Sequence, residues 1–189
     1  MNVRRLQGLA LIVSAVCFLL GLSGPQSIAL IGPQATTFYH VTGIILFMLG
    51  IPAVYSVQPT GSIGLVGIIL LELAALIPLI FRLNMVPSGL AESLSLTSAL
   101  AGMLGAVIIG WLTTRERVFP AWVGWAFIAQ GLLNFFTGMF NLGNLTGAIP
   151  IFLPLLAIVV QFAYGYFIYQ KATKPAIAGE AKVPLAEGS

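Results

Sequence analysis

Residues 61–83, GSIGLVGIILLELAALIPLIFRL, constrain the fold of this chain more than any other segment. A helix rises 1.5 Å per residue, so about 20 apolar residues cross the roughly 30 Å hydrocarbon layer of a bilayer. Glu72 lies near the middle of this segment. Because an ionised carboxylate at that depth costs at least a few kcal/mol, Glu72 requires a partner, a proton or a water-filled cavity.

Composition excludes a water-soluble fold. Hydrophobic residues make up 59% of the chain and charged residues 7%, and the mean hydropathy is +1.04. Soluble domains carry about 25% charged residues. The net charge of +3 arises from basic residues beside the apolar segments, where they orient a membrane protein. We therefore expect the lipid bilayer, and no nucleic acid, as a partner.

The residues that the chain lacks restrict its chemistry. It contains no aspartate, one histidine (His40) and one cysteine (Cys17). Aspartyl intramembrane proteolysis, a disulfide framework, a thiolate metal site and a di-metal site within one chain are thereby excluded. We expect no cofactor, and the sequence shows no nucleophile–base pair that would indicate an enzyme.

Six apolar segments predict an all-α, polytopic membrane protein with a six-helix bundle. The predicted spans are residues 6–22, 38–55, 61–83, 93–111, 120–141 and 149–169. They form one domain of residues 1–170, followed by a disordered tail at 171–189. The basic start is interpreted as a retained first span, because GLSGPQ offers no signal-peptide cleavage site. Thr36 or Thr37 is the expected N-cap of the second helix. Pro78 is expected to kink the third helix. Residues 113–119 are predicted to form the turn between the fourth and fifth helices.

Basic residues indicate the orientation. With the N-terminus in the cytoplasm, seven of the eight lysines and arginines fall on the cytoplasmic side, and Arg82 alone falls on the other. This asymmetry follows the positive-inside rule and predicts that both termini are cytoplasmic. Trp111, Trp122 and Trp125 are predicted to lie at the membrane–water interface on the cytoplasmic side.

Polar residues within the spans suggest a site in the membrane. Glu72, Gln130 and Gln161 fall near mid-depth of three predicted helices, and Asn134 continues the face of Gln130. His40, Arg82 and Asn84 would lie at the outer mouth of a polar pathway that ends at Glu72. Alternatively, Glu72 is protonated and donates a hydrogen bond to Gln130 or Gln161 as an interhelical contact. The sequence leaves both interpretations open.

Small residues on the fourth predicted span indicate close helix packing. Gly102 follows Ser98, and Gly105 follows Ala101, each at a spacing of four residues. Such pairs allow helices to approach closely in lipid. We expect leucine at Gly102 or Gly105 to disrupt assembly.

The basic leader with LQGLALIV, the six-span plan and the segment RVFPAWVGWAFIAQG resemble uncharacterised six-helix integral membrane proteins of bacteria. This resemblance is general over residues 1–170 and implies a fold type and the bacterial cytoplasmic membrane, but no activity. Two functional hypotheses follow from the sequence. The first is a small transporter or proton-coupled permease that uses Glu72. The second is a non-catalytic accessory or structural subunit that docks other membrane subunits or a second copy of the chain.

Overall fold

The computed structural model describes residues 2–21, 32–58, 61–85, 87–139 and 149–173, and every regular element in these ranges is helical. The connection between the fifth and sixth predicted spans and the predicted tail beyond residue 173 lie outside them. The helices are α1 (Val3–Leu20), α2 (Pro33–Gly50), α3 (Pro52–Val57), α4 (Gly61–Arg82), α5 (Ala91–Glu116), α6 (Ala121–Met139) and α7 (Ile149–Thr173), with a 3-10 turn at Ser88–Leu90 before α5.

Five segments are long and apolar enough to cross a membrane. They are α1, α2 together with α3, α4, α5, and Phe152–Ala172 within α7. α6 is not among them, since Gln130, Asn134 and Thr137 lower the hydropathy of a helix that has 19 residues and no charged side chain. The chain is thus a helical, membrane-embedded protein, and a sixth span at α6 remains a prediction.

The start of α2 differs from the predicted one. The helix begins at Pro33, where a proline is favourable because the first-turn N–H has no helical acceptor. The expected caps Thr36 and Thr37 lie inside the first turn, and their hydroxyls donate to the carbonyls of Gly32 and Pro33. α2 ends at Gly50, and Pro52 begins the separate helix α3.

α5 and α7 extend beyond the predicted spans. The segment expected to turn at residue 113 remains helical to Glu116, and the chain turns at Arg117, whose φ is +53°. Thr113 is consequently buried inside the bundle. α7 continues to Thr173, so the first residues assigned to the tail are helical.

α4 continues through Pro78. Proline has no N–H, so the carbonyl four residues earlier, that of Ala74, loses its helical donor. Ser98 of α5 replaces that donor, with its hydroxyl 3.0 Å from the Ala74 oxygen. In a bilayer a freed backbone carbonyl requires such a partner from a neighbouring helix.

The six long helices form a closed ring in the order α1, α2, α4, α5, α6, α7. Contacts are extensive within the triplet α7–α1–α2 and within the triplet α4–α5–α6. The α2/α4 and α6/α7 boundaries, which we call the seams, have far fewer. The ring is therefore two three-helix units joined along two sparsely packed seams.

Glycine pairs hold each triplet together. A Cβ on Gly124 of α6 would lie 2.5 Å from the Gly110 oxygen of α5, and one on Gly165 of α7 would lie 2.7 Å from the Gly8 oxygen of α1. Because the obstructing atoms belong to the backbone, the helices could not approach this closely with any larger residue.

The ends of the ring carry different charges. The Arg5 guanidinium donates to the Tyr169 hydroxyl at 2.7 Å, and the Lys171 ammonium donates to the Val118 carbonyl. These contacts bring the start of α1, the end of α7 and the α5–α6 turn to one end, which we call the basic end. Arg82 lies at the other, the Arg82 end, because α4 and α5 run in opposite directions.

Candidate functional site: a cavity inside the ring

A cavity of about 370 Å³ lies inside the ring and receives side chains from all six long helices. Small-molecule sites in proteins typically have volumes of about 300–1,000 Å³. Its wall comprises Phe18, His40, Ile44, Phe47, Leu71, Ala74, Ala75, Pro78, Arg82, Ser98, Ala99, Gly102, Met103, Ala106, Phe127, Gln130, Gly131, Asn134 and Gln161.

The cavity opens toward the Arg82 end. Leu71, Ala106 and Phe127 form a floor of side chains that are at most 4% exposed. Arg82 lies eleven residues beyond Leu71 on α4 and is exposed, so by the helical rise about 16 Å separate floor and mouth. We define the mouth by two lining residues at this end, the partly exposed His40 and the exposed Arg82.

The mouth histidine is held by its own helix. His40 Nδ1 is 3.2 Å from the Thr36 carbonyl oxygen, and its ring packs edge-on against Phe18. Since a carbonyl oxygen only accepts, Nδ1 carries the proton and Nε2 is an acceptor.

The part of the chain that the structure describes contains no cluster of three residues that could hold a metal ion.

Three amides lie on one side of the cavity, beside the α6/α7 seam. Gln130 and Asn134 project from α6, and Gln161 projects from α7. Gln161 Oε1 is 3.5 Å from the Ser14 hydroxyl, which donates to the Gly43 carbonyl at 2.8 Å. Gln130 Oε1 is buried without a hydrogen-bond partner among the described residues. A buried, unpaired amide oxygen is costly, so Gln130 presents an acceptor that a ligand could satisfy.

The wall formed by α4 and α5 is small and apolar. Its alanines, Gly102 and Met103 present little hydrogen-bonding capacity, and the Ser98 hydroxyl is already bonded to the Ala74 carbonyl. The cavity therefore has an apolar wall on α4 and α5 and an amide wall on α6 and α7.

Glu72 does not line the cavity, contrary to the pathway expected from the sequence. At 3.6 residues per turn it points about 100° away from Leu71, which forms part of the cavity floor. Gly67 and Ala74 mark the side of α4 that contacts α5. Glu72 lies on the flank of α4 away from α5 and is partly exposed. The expected hydrogen bond to Gln130 or Gln161 is not observed, and no described residue pairs with Glu72.

Of the other predicted site residues, five line the cavity and one does not. Gln130, Asn134, Gln161, His40 and Arg82 all line one cavity, as a shared site requires. Asn84 does not: it is exposed just beyond α4, with φ at +55°.

The two glycines predicted to pack helices have different surroundings. Gly105 lies against α4, where a Cβ would be 2.8 Å from Leu71 and 3.0 Å from the Gly67 oxygen. Gly102 faces the cavity, and the nearest atom to its Cβ position is the Ala74 methyl carbon at 3.4 Å. Only Gly105 is at a close helix–helix contact.

A buried hydrogen-bonded chain closes the ring below the floor. The Thr113 hydroxyl is 3.3 Å from Gln58 Oε1 and 2.8 Å from the Tyr164 hydroxyl. Because the single Thr113 proton is donated to Gln58, Tyr164 donates to Thr113. The Tyr164 ring packs edge-on against Phe119 and Phe127 at centroid distances of 5.2 and 5.5 Å. We call Gln58, Thr113, Phe119 and Tyr164 the closed end.

Sequence reasoning missed the closed end. Gln58 falls between the second and third predicted spans, and Thr113 begins the predicted turn at residues 113–119. Tyr164 is close in sequence to the aromatic residues Tyr166 and Tyr169. One signal was available in the sequence. Tyr164 and Tyr166 are about 200° apart around a helix, so if one ring projects outward from the bundle, the other projects into it. Tyr166 is exposed and Tyr164 is 1% exposed.

Comparison of the chain with protein-family profiles, curated proteins and solved structures found no match. The candidate site is therefore interpreted from its own geometry.

Proposed function

We propose that this protein is a small membrane transporter that takes its substrate into the cavity from the Arg82 end. One observation carries the proposal: a cavity of about 370 Å³, lined by all six long helices, is closed by buried side chains at one end, and its described lining residues become exposed toward the other. An arrangement of this kind is what a transporter presents when its site is accessible from one side of the membrane.

The two triplets supply a route to the alternate state. Each is held by glycine pairs, whereas the seams between them are sparsely packed. Alternating access in membrane transporters is largely a rigid-body movement of one bundle against another around a central site. Movement about the seams would separate Thr113 of α5 from Tyr164 of α7 and bring the cavity walls together near Arg82.

The orientation belongs to the same proposal. We place the basic end in the cytoplasm of a bacterium, with six spans and both termini inside, because basic residues collect on the cytoplasmic side. Trp111, Trp122 and Trp125 are exposed, and tryptophan is enriched at membrane–water interfaces. The cavity then opens to the outside.

Cysteine accessibility in proteoliposomes tests the proposal. In a Cys17→Ser background, Gly102→Cys places a thiol in the cavity and Ala53→Cys places one near the closed end, where Ala53 is 0% exposed. A membrane-impermeant thiosulfonate should modify Gly102→Cys rapidly from the outside. It should modify Ala53→Cys slowly and from the cytoplasmic side alone, as the closed end opens transiently.

Ala101→Cys is the matched control, because Ala101 is also buried but does not line the cavity. Equal labelling of Ala53→Cys and Ala101→Cys would indicate general unfolding. If Ala53→Cys stays unmodified while Gly102→Cys reacts, the cavity opens to one side only. Transport is then wrong, and the alternative of an accessory subunit gains support. Fixed stoichiometric partners on purification would point the same way.

A further inference from the structure

The charge of the cavity wall indicates the sign of its ligand. Among the residues that the structure describes, Arg82 is the only ionic side chain that lines it, and no carboxylate does. Arg82 also makes no ion pair with any residue in the described ranges; the only salt bridge found there joins Arg115 and Glu116, at the basic end. A cation at the mouth of a low-dielectric cavity attracts anions, because the surrounding apolar walls focus its field.

The far end of the cavity requires a hydrogen-bond donor. Gln130 lies one helical turn above Phe127 of the floor, and its buried oxygen has no partner among the described residues. The oxygen itself has almost no accessible surface, so a ligand whose inner end carries an N–H or O–H group would satisfy it after a rotation of the Gln130 amide toward the cavity. A purely hydrocarbon tail would leave that oxygen unpaired, so the amide disfavours a fatty-acid chain at this depth.

The walls between these two points determine the shape. α4 and α5 present alanines, Gly102 and Met103 to one face of a ligand, and Asn134 and Gln161 lie on the other side. A flat molecule with an apolar face fits the first wall, and the roughly 16 Å from Leu71 to Arg82 accommodates a molecule of one or two rings together with the long arginine side chain.

We propose that the cavity binds a small, flat organic acid as its monoanion. The acid group lies at Arg82, an apolar face lies against α4 and α5, and a hydrogen-bond donor at the inner end meets Gln130. This inference rests on the cavity being the substrate site of the proposed function, and it adds the chemical class of the substrate.

Four indole probes of nearly equal shape test each part. Indole-3-acetate is an anion, indole-3-acetamide is neutral and tryptamine is a cation, and all three keep the indole N–H. 1-Methylindole-3-acetate keeps the charge and lacks the donor. Affinities are measured on the purified full chain in detergent or nanodiscs, from the rise in unfolding temperature with ligand concentration. We expect indole-3-acetate to bind most tightly and tryptamine most weakly.

Variants assign the two contacts. Arg82→Gln should weaken indole-3-acetate roughly tenfold or more, as expected for loss of a charged hydrogen bond. Arg115→Gln is the control, because it removes an exposed arginine at the basic end. Gln130→Leu should weaken indole-3-acetate roughly threefold to tenfold, and should not weaken 1-methylindole-3-acetate. Arg82→Lys should restore much of the binding.

The outcomes separate this inference from the transport proposal. Gly102→Leu fills the cavity and should abolish binding of all four probes. If it does so, and the amide or the amine nevertheless binds to the parent protein as tightly as the acid, the anion class is wrong and the cavity site stands. If Arg82→Gln and Arg115→Gln weaken the binding of indole-3-acetate equally, the proposed anion class is also wrong. If no probe stabilises the folded parent protein, the ligand class proposed here is wrong. Cytoplasmic labelling of Ala53→Cys reports on transport independently of all these results.

Discussion

The two ends of the ring are built by opposite means. Toward the basic end, helices meet at Gly8/Gly165 and Gly110/Gly124, and the interior is filled by Tyr164, Phe119 and Thr113. Toward the Arg82 end, small residues such as Gly102 are not matched by a facing backbone, and space remains between the helices. Small residues thus produce close contact at one end and a cavity at the other.

The difference shows that a small residue has no fixed meaning in a membrane helix. Gly105 and Gly102 are three residues apart on α5, yet one contacts α4 and the other faces the cavity. What separates them is the direction in which each Cα points and whether a neighbouring helix crosses there. Substitutions at the two ends should therefore have unequal effects.

The largest effect is expected from alanine at a glycine crossing. Gly124→Ala places a methyl group 2.5 Å from the Gly110 carbonyl oxygen, and the backbone must move apart. Overpacking of this kind costs about 1–3 kcal/mol and occasionally more. We expect a strong loss of folded yield and of unfolding temperature. Gly102→Ala is the matched change at the Arg82 end and should remain close to the parent; similar losses in both variants would contradict the contrast.

The second effect concerns the closed end. Tyr164→Phe removes the hydroxyl that donates to Thr113 within the buried chain. Interhelical hydrogen bonds in membrane proteins contribute about 0.6 kcal/mol on average and up to about 1.7 kcal/mol. We expect a loss near the upper value in denaturant-induced unfolding, because the site is fully buried. Tyr166→Phe, an exposed position two residues later, is the control, and an equal loss there would show that the closed end is not special.

The third prediction separates Glu72 from the cavity. Glu72 is outside the cavity wall and has no partner among the described residues, so Glu72→Leu removes a polar group from an apolar surface. We expect stability that is unchanged or raised by roughly 1 kcal/mol, and probe binding equal to that of the parent. Glu72→Gln should also bind normally. Loss of probe binding in both variants, with normal folding, would place Glu72 in the binding site after all.

The smallest effect is expected at Ser98, in the cavity wall itself. Ser98→Ala leaves the Ala74 carbonyl, already deprived of its helical donor by Pro78, without a partner. The expected loss is about 0.5 kcal/mol, because water from the open cavity can reach this carbonyl. A double variant with Pro78→Ala restores the helical N–H and should recover the loss. A loss above that of Tyr164→Phe would show that the Arg82 end is the more tightly determined of the two.

Hydropathy predicted the helices, since each apolar segment needs about the same length to cross a bilayer whatever its neighbours are. Five of the predicted spans are long and apolar enough in the structure, although their ends shift by a few residues at positions such as Pro33 and Glu116. Periodicity also placed Gln130 and Asn134 on one face of α6. These properties are local, and the order of residues along a single helix determines them.

The position of each face in the ring depended on tertiary structure. Sequence counting predicts a shared depth for Glu72, Gln130 and Gln161, but depth does not tell which side of a helix meets the interior of the ring. The crossing of α4 with α5 at Gly67 and Gly105 turns Leu71 toward the cavity and leaves Glu72 outside the cavity wall. Likewise, Gln58, Thr113 and Tyr164 come from segments far apart in the chain, and only the packing of three helices brings them into hydrogen-bonding distance. Sequence determined where each residue lies along its helix, and packing between helices determined what each side chain contacts.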